Sequence, residues 1–185
     1  MRGDRGTAKG GRDLDRPTVA RFLLLFVVYI VAGGFLLSFP WVEAGLVDPW
    51  TRLNAASTAS IARLMGIEAQ AQATQVLYGP GSLEIVVGCN GVEALLILVS
   101  ALLAFPAPWA RRGIGVLAGT VAILGVNLVR LVNLVVVARF APAWLDVFHV
   151  YVWQVLIVLV AVALFLVWGH YLGGSRPIAT PSRSV

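Results

Sequence analysis

Four long apolar runs constrain this chain more than any other feature of its sequence. They occupy residues 22–42, 91–107, 113–138 and 149–169. At about 1.5 Å per helical residue, runs of this length match the hydrocarbon core of a bilayer, which is about 30 Å thick. Charged residues make up only 12% of the chain, against about a quarter in soluble domains. We therefore predict an all-α polytopic membrane protein with about four transmembrane helices, which form one membrane domain over residues 19–172.

The longest polar connection, residues 43–88, has its own signals of local structure. Asp48-Pro49 is typical of a helix start, and Gly66 is typical of a helix end. We predict a short extracytoplasmic helix between them, lying on the bilayer surface. Two extended segments then flank Gly79-Pro80-Gly81, a pattern that also fits a β-hairpin before the second span.

Basic residues set the expected orientation. The polar ends, 1–18 and 173–185, share one side with the Arg111-Arg112 loop if there are four spans, and that side carries most of the basic residues. The positive-inside rule then makes both ends cytoplasmic tails, the first disordered and basic, and puts the 43–88 insertion outside. A net charge of +5 that sits mainly in the tails suits membrane lipids as partners rather than nucleic acid.

Three ionisable residues are predicted to meet near the outer surface. In this orientation Cys89 begins the second span and His149 begins the fourth, both at the outer face. Arg130 lies within the third span, roughly 12 Å from its outer end, and a long side chain that reaches toward the interface covers part of that distance. Since an arginine inside a span carries a penalty of a few kcal/mol, a functional role is its default interpretation.

Together these residues suggest cysteine-dependent catalysis. A helix N-terminus, a cation and an imidazole each lower the pKa of a thiol, and Cys89 is expected to have all three nearby. His149 can act as general base and then as general acid, and Arg130 can stabilise a thiolate or an oxyanion. No G-x-S-x-G or H-E-x-x-H motif occurs, and a single cysteine excludes a disulfide or a Cys-ligated metal cluster. We expect neither a metal nor a cofactor.

Four further polar residues are candidates for binding or orienting the substrate: Asn90, Glu93, Asn127 and Asn133. Asn127 and Asn133 share one helical face with Arg130, although such amides also simply join helices in membranes. Glu93 lies one turn from Cys89, where it can pair with Arg130. The simplest alternative for Cys89 is a small buried hydrophobe.

The ordered set of motifs resembles the exosortase/archaeosortase family of membrane cysteine transpeptidases, and is most similar to the exosortase H type. The family pattern is a cysteine followed closely by glycine, then Asn-x-x-Arg in the next helix, then histidine near the start of the one after. In this chain the pattern reads Cys89-Asn90-Gly91, Asn127-Leu128-Val129-Arg130 and Phe148-His149. The resemblance covers roughly residues 75 to 170.

The resemblance implies a sortase-like cysteine protease/transpeptidase with Cys89, Arg130 and His149 as catalytic residues. Its partners would be exported proteins that carry a C-terminal motif, a transmembrane helix and a basic cluster, with a Pro-Thr-Leu type motif for the H type. The product would pass to a surface acceptor, an unknown lipid or saccharide. The enzyme would lie in the inner membrane of a Gram-negative bacterium with its active site facing the periplasm. Because this chain has few spans, we expect either the region 48–87 or a second copy of the chain, in a homo-oligomer, to complete the substrate groove.

The alternative class is a non-enzymatic membrane assembly factor or transporter subunit. In such a protein Arg130 and Glu93 would form a structural ion pair. Replacing Cys89 would then have no effect, whereas losing either charge would reduce stability.

Overall fold

The computed structural model describes residues 16–173, so the rest of both predicted tails, 1–15 and 174–185, lies outside the described residues. The described chain is mostly helical. The helices are α1 Arg16–Leu37, the short α2 Pro40–Val42, α3 Asp48–Leu64, α4 Val92–Ala104, α5 Trp109–Phe140 and α6 Trp153–Gly173. Two π-helical turns interrupt this sequence, Glu43–Val47 before α3 and Val147–Val152 before α6.

Within residues 16–173, three helical segments are long and apolar enough to cross a membrane. They are Thr18–Leu37, Trp109–Phe140 and Pro142–Tyr171. The predicted span 91–107 corresponds to α4, which has 13 helical residues and is therefore shorter than the length that usually spans a bilayer. The protein is a multi-pass membrane protein, and four spans remain a prediction. The Arg111-Arg112 pair, expected in a loop, instead lies in the first turn of α5.

The polar connection after α1 folds into a helix and a small sheet. Strands β1 Ala69–Gln72, β2 Gln75–Tyr78 and β3 Gly81–Glu84 form an antiparallel meander in that order. The predicted hairpin had two strands, but its first arm turns back on itself at residues 73–74, where Ala73 adopts a φ of +54°. The structure therefore has three strands where the sequence suggested two.

Two apolar clusters form the core, and α5 contributes to both of them. The first, which we call the cap cluster, consists of Ala55, Ala59, Ala62, Ile67, Ala69, Val76, Ile85, Cys89, Leu131 and Val135. The second, the bundle cluster, consists of Ala94, Leu98, Leu102, Ile123, Ile157 and Ala161. Helix α5 supplies Ile123 to the bundle cluster and, further along, Leu131 and Val135 to the cap cluster. Arg130 therefore lies at the junction of the two clusters.

Candidate active site

A tight loop between β3 and α4 carries Cys89. Gly88 and Gly91 bracket it with φ values of +93° and +82°, a left-handed conformation that glycine adopts at little cost. The backbone N–H of Cys89 donates to the carbonyl of Val86 at 3.0 Å. This turn directs the thiol inward, where Cys89 is only 6% exposed.

The structure brings the thiol, the imidazole and the guanidinium together. Cys89 Sγ lies 2.7 Å from His149 Nε2, and Arg130 Nη2 donates to the same sulfur at 3.8 Å. His149 belongs to the π-helical turn that precedes α6, and Arg130 lies on α5. Three separate segments of the chain thus meet at one sulfur atom.

Arg130 is a buried cation whose hydrogen-bond partners are all uncharged groups or the thiol. It is 1% exposed, and besides the thiol it donates to the carbonyl of Gly88 at 3.4 Å and to Gln154 Oε1 at 3.5 Å. Its Nε has no partner among the residues that the structure describes. Glu93 is exposed and is not among the groups that Arg130 hydrogen-bonds. The structural Arg130–Glu93 pair of the alternative hypothesis is therefore not what holds the guanidinium.

Burial has the largest effect on the pKa of the Cys89 thiol. It raises the pKa of Cys89 above its usual value, the Arg130 cation partly lowers it, and the Glu93 carboxylate raises it further. The sequence had suggested a lowered pKa, so this expectation is wrong. The reason is that Cys89 lies inside the cap cluster, where the water that would stabilise a thiolate is largely excluded. Cys89 also precedes the first residue of α4 by a turn.

Asn90 holds the loop that carries Cys89 in place. Its Nδ2 donates to Thr51 Oγ1 at 3.2 Å, its Oδ1 accepts from the backbone N–H of Val92 at 3.1 Å, and its carbonyl accepts from Trp50 Nε1 at 2.9 Å. Thr51 in turn donates to the carbonyl of Val47 at 2.8 Å. The start of α3 therefore fixes the loop that carries Cys89.

The two other asparagines do not hydrogen-bond Arg130. Asn133 Oδ1 accepts from Trp153 Nε1 at 2.8 Å and so joins α5 to α6. Asn127 is fully buried, and neither atom of its amide has a partner in the described part of the chain. A Cβ atom at Gly91 would lie 3.0 Å from Asn127 Cγ, so Asn127 packs directly beneath the Cys89 loop.

Sequence reasoning missed Trp50, Thr51 and Gln154 as parts of this site. Gln154 carried a usable signal, because it is the one side-chain amide in the apolar run 149–169. Nothing in the sequence indicated that α3 would reach back to residue 90.

A small cavity of about 60 Å³ adjoins the cluster. Gly88, Glu93 and Arg130 line it together with Gln154 and the apolar residues of α4 and α6 that face them. Since a buried water needs far less room than this, the cavity can admit a small group beside the guanidinium.

These features define a multi-pass membrane protein with a cysteine–histidine–arginine site at the edge of its helical bundle. The model of the transmembrane exosortase family matches residues 15–169, and the chain belongs to that family. A search of curated proteins and a search of solved structures each found no significant match.

Thr51 and Thr58 allow a matched test of how α3 fixes the loop. Both are buried on α3, but Thr58 Oγ1 has no hydrogen-bond partner in the described residues. Thr51→Val removes the acceptor of Asn90 Nδ2, so we expect a loss of about 1–3 kcal/mol in the free energy of unfolding. Thr51→Ser keeps the hydroxyl and should retain the wild-type free energy of unfolding. Thr58→Val should leave the free energy of unfolding unchanged or raise it. Equal losses for both valine variants, measured by denaturation in detergent, would contradict this account of the loop.

Alkylation of the chain's only cysteine tests the charges around it. Because the pKa of Cys89 is raised, the rate with iodoacetamide should still climb with pH above about 8.5, where an ordinary thiol is half ionised. Arg130→Gln removes the cation that lowers this pKa, so the rate profile should move to higher pH. Glu93→Gln removes an anion that raises it, so the profile should move to lower pH.

The control for this titration is Glu84→Gln on β3, a charge-matched change at an exposed position, which should leave the profile unchanged. Mass spectrometry of the intact protein follows the reaction directly. A profile that levels off well below pH 8, or that shifts the same way in the Arg130 and Glu93 variants, would contradict the assigned charges.

Proposed function

We propose that this protein is a membrane-embedded, sortase-like cysteine protease/transpeptidase. It cleaves the C-terminal sorting signals of exported proteins and transfers the processed proteins to a surface acceptor. The observation that carries the proposal is the 2.7 Å contact between Cys89 Sγ and His149 Nε2, with Arg130 Nη2 beside the same sulfur. A nucleophile and a base within hydrogen-bond reach, next to a fixed cation, are the recognised components of covalent acyl transfer.

The first step forms a thioester. His149 Nε2 takes the proton from Cys89 Sγ as the sulfur attacks the carbonyl carbon of the scissile peptide bond, and the carbonyl electron pair moves onto oxygen. The raised pKa of Cys89 favours proton transfer during the attack over a standing thiolate. Arg130 stabilises the oxyanion from a site where water is excluded. The intermediate then collapses, the C–N bond breaks, and His149 gives its proton to the leaving amine.

The second step releases the product and restores the enzyme. A nucleophile of the acceptor attacks the thioester carbonyl while His149 removes its proton, which makes a second tetrahedral intermediate. The C–S bond then breaks, and the proton returns from His149 to Cys89. Water can replace the acceptor in the same step, and the product is then simply hydrolysed.

Substrate is proposed to approach between α4 and α6. The cavity beside Arg130 is walled by Gly88 and Gly91 on the loop, and by Ile97 and Ile157 on the two helices. Glycines leave room for a substrate backbone, and apolar helix faces suit the transmembrane helix that follows the sorting motif. For an exosortase of the H type, that motif would be of the Pro-Thr-Leu type.

The proposed location follows from the charge distribution. The site faces the periplasm from the inner membrane, both tails are cytoplasmic, and the 43–88 segment covers the loop that carries Cys89. The acceptor is a lipid or a saccharide at the outer surface. A second copy of the chain can extend the substrate groove.

Co-expression with a tagged protein that bears a Pro-Thr-Leu type tail tests the function. Cys89→Ala, Arg130→Gln and His149→Gln should each reduce the shortened product at least about 100-fold, as expected for loss of a nucleophile, an oxyanion donor or a general base. His170→Gln changes the other histidine, which is exposed near the end of α6, and should process normally. Immunoblots of substrate and enzyme in the membrane fraction give both processing and insertion.

Normal processing by the Cys89→Ala variant would overturn the proposed function. If that variant were silent while Glu93→Gln and Arg130→Gln both lowered the amount of inserted protein, the assembly-factor alternative would be supported instead.

A further inference from the structure

A second, larger cavity lies where the start of α1 faces the segment that joins α4 to α5. Its volume is about 610 Å³, and it is lined by Thr18, Arg21, Phe22 and Leu25 on α1 and by Pro106 and Arg112 among the residues opposite. Two guanidinium groups thus share one cavity, and no carboxylate lines it within the described chain. The proposed reaction uses none of these residues.

The wall formed by α1 changes from polar to apolar with depth. Thr18, Arg21, Phe22 and Leu25 are spaced as neighbours on one helical face, with Leu25 about 6 Å further along the helix than Arg21. Phe22 is held in place by stacking on Phe165 of α6, with ring centroids 5.8 Å apart. A ligand that fits this wall has an anionic end and an apolar body.

Arg112 is held in position by hydrogen bonds that use only part of its guanidinium group. Its Nε donates to the carbonyl of Ala107 and its Nη1 to the carbonyl of Leu103, each at 2.8 Å. Its guanidinium also lies over the ring of Trp109, 4.6 Å from the centroid. Its Nη2 is bonded to no acceptor among residues 16–173. A guanidinium held in this way loses little freedom when it binds a phosphate.

We propose that this cavity binds the phosphate-bearing headgroup of an anionic phospholipid, with the acyl chains against Phe22 and Leu25. Charge complementarity and the apolar floor both select this occupant, since a free phosphate would leave the floor uncovered. Basic pockets between transmembrane helices are a recognised way to hold such headgroups. In the proposed orientation this is the cytoplasmic side, opposite the sulfur site, so the lipid acts as a structural ligand of the bundle.

Native mass spectrometry of the full chain in neutral detergent tests the site with two lipids of identical acyl chains, phosphatidylglycerol and phosphatidylcholine. Phosphatidylglycerol should bind more tightly, and Arg21→Gln should weaken that binding at least about tenfold, as expected for loss of a charge-assisted contact. Arg111→Gln removes the same charge from a neighbouring residue outside the cavity lining and should leave binding unchanged. Arg112 is left intact because it also satisfies two backbone carbonyls.

Three outcomes would overturn the proposal. Equal weakening by Arg21→Gln and Arg111→Gln would mean diffuse attraction to anionic lipid rather than a site. If Arg21→Gln had no effect on lipid binding, this cavity would not be the lipid site. If inorganic phosphate competed as effectively as phosphatidylglycerol, the cavity would be a site for phosphate ions only. Lipid binding is measured without any substrate, so this result stands apart from the test of processing.

Discussion

The arrangement of this protein depends on how it accommodates one buried guanidinium. Transferring a charge into a low-dielectric interior costs several kcal/mol unless polar groups compensate. Arg130 is compensated by a backbone carbonyl, a side-chain amide and a thiol. Those three groups come from the Cys89 loop and from α6. The cation on α5 can therefore stay buried only while both neighbours hold their positions around it, which couples the folding of the bundle to the geometry of the proposed site.

Arg130 lies where helix α5 passes from one apolar cluster to the other. Below it, α5 packs in the bundle cluster, and beyond it the same helix packs against α3 and the sheet in the cap cluster. The cap cluster buries the thiol and excludes water, which raises the pKa of Cys89. The same exclusion strengthens every electrostatic contact in the site. A thiol that is shielded from water, beside an imidazole and a fixed cation, suits the proposed acyl transfer, because water competes with the acceptor for the thioester.

The sequence predicted the apolar helices and the meeting of Cys89, Arg130 and His149, because long apolar runs and charges inside them carry strong energetic signals. The sequence did not predict the features that depend on tertiary contacts. The face of α3 that is buried in the protein consists of small residues such as Ala55, Ala59 and Ala62, whereas the larger Leu53 and Leu64 are exposed. Small residues allow close packing yet give little periodic signal. The anchoring of Asn90 by Trp50 and Thr51, and the third strand, likewise depend on contacts between distant segments that local patterns do not encode.

The covalent intermediate offers the most direct test of the account. Purified protein mixed with a tagged sorting-signal peptide and no acceptor should yield an adduct on Cys89, detected by mass spectrometry and released by hydroxylamine as a thioester. The adduct should be missing in Cys89→Ala and should form far more slowly in His149→Gln. An adduct on any other residue, or cleavage of the peptide at the wild-type rate without Cys89, would contradict the claim that this sulfur performs the reaction.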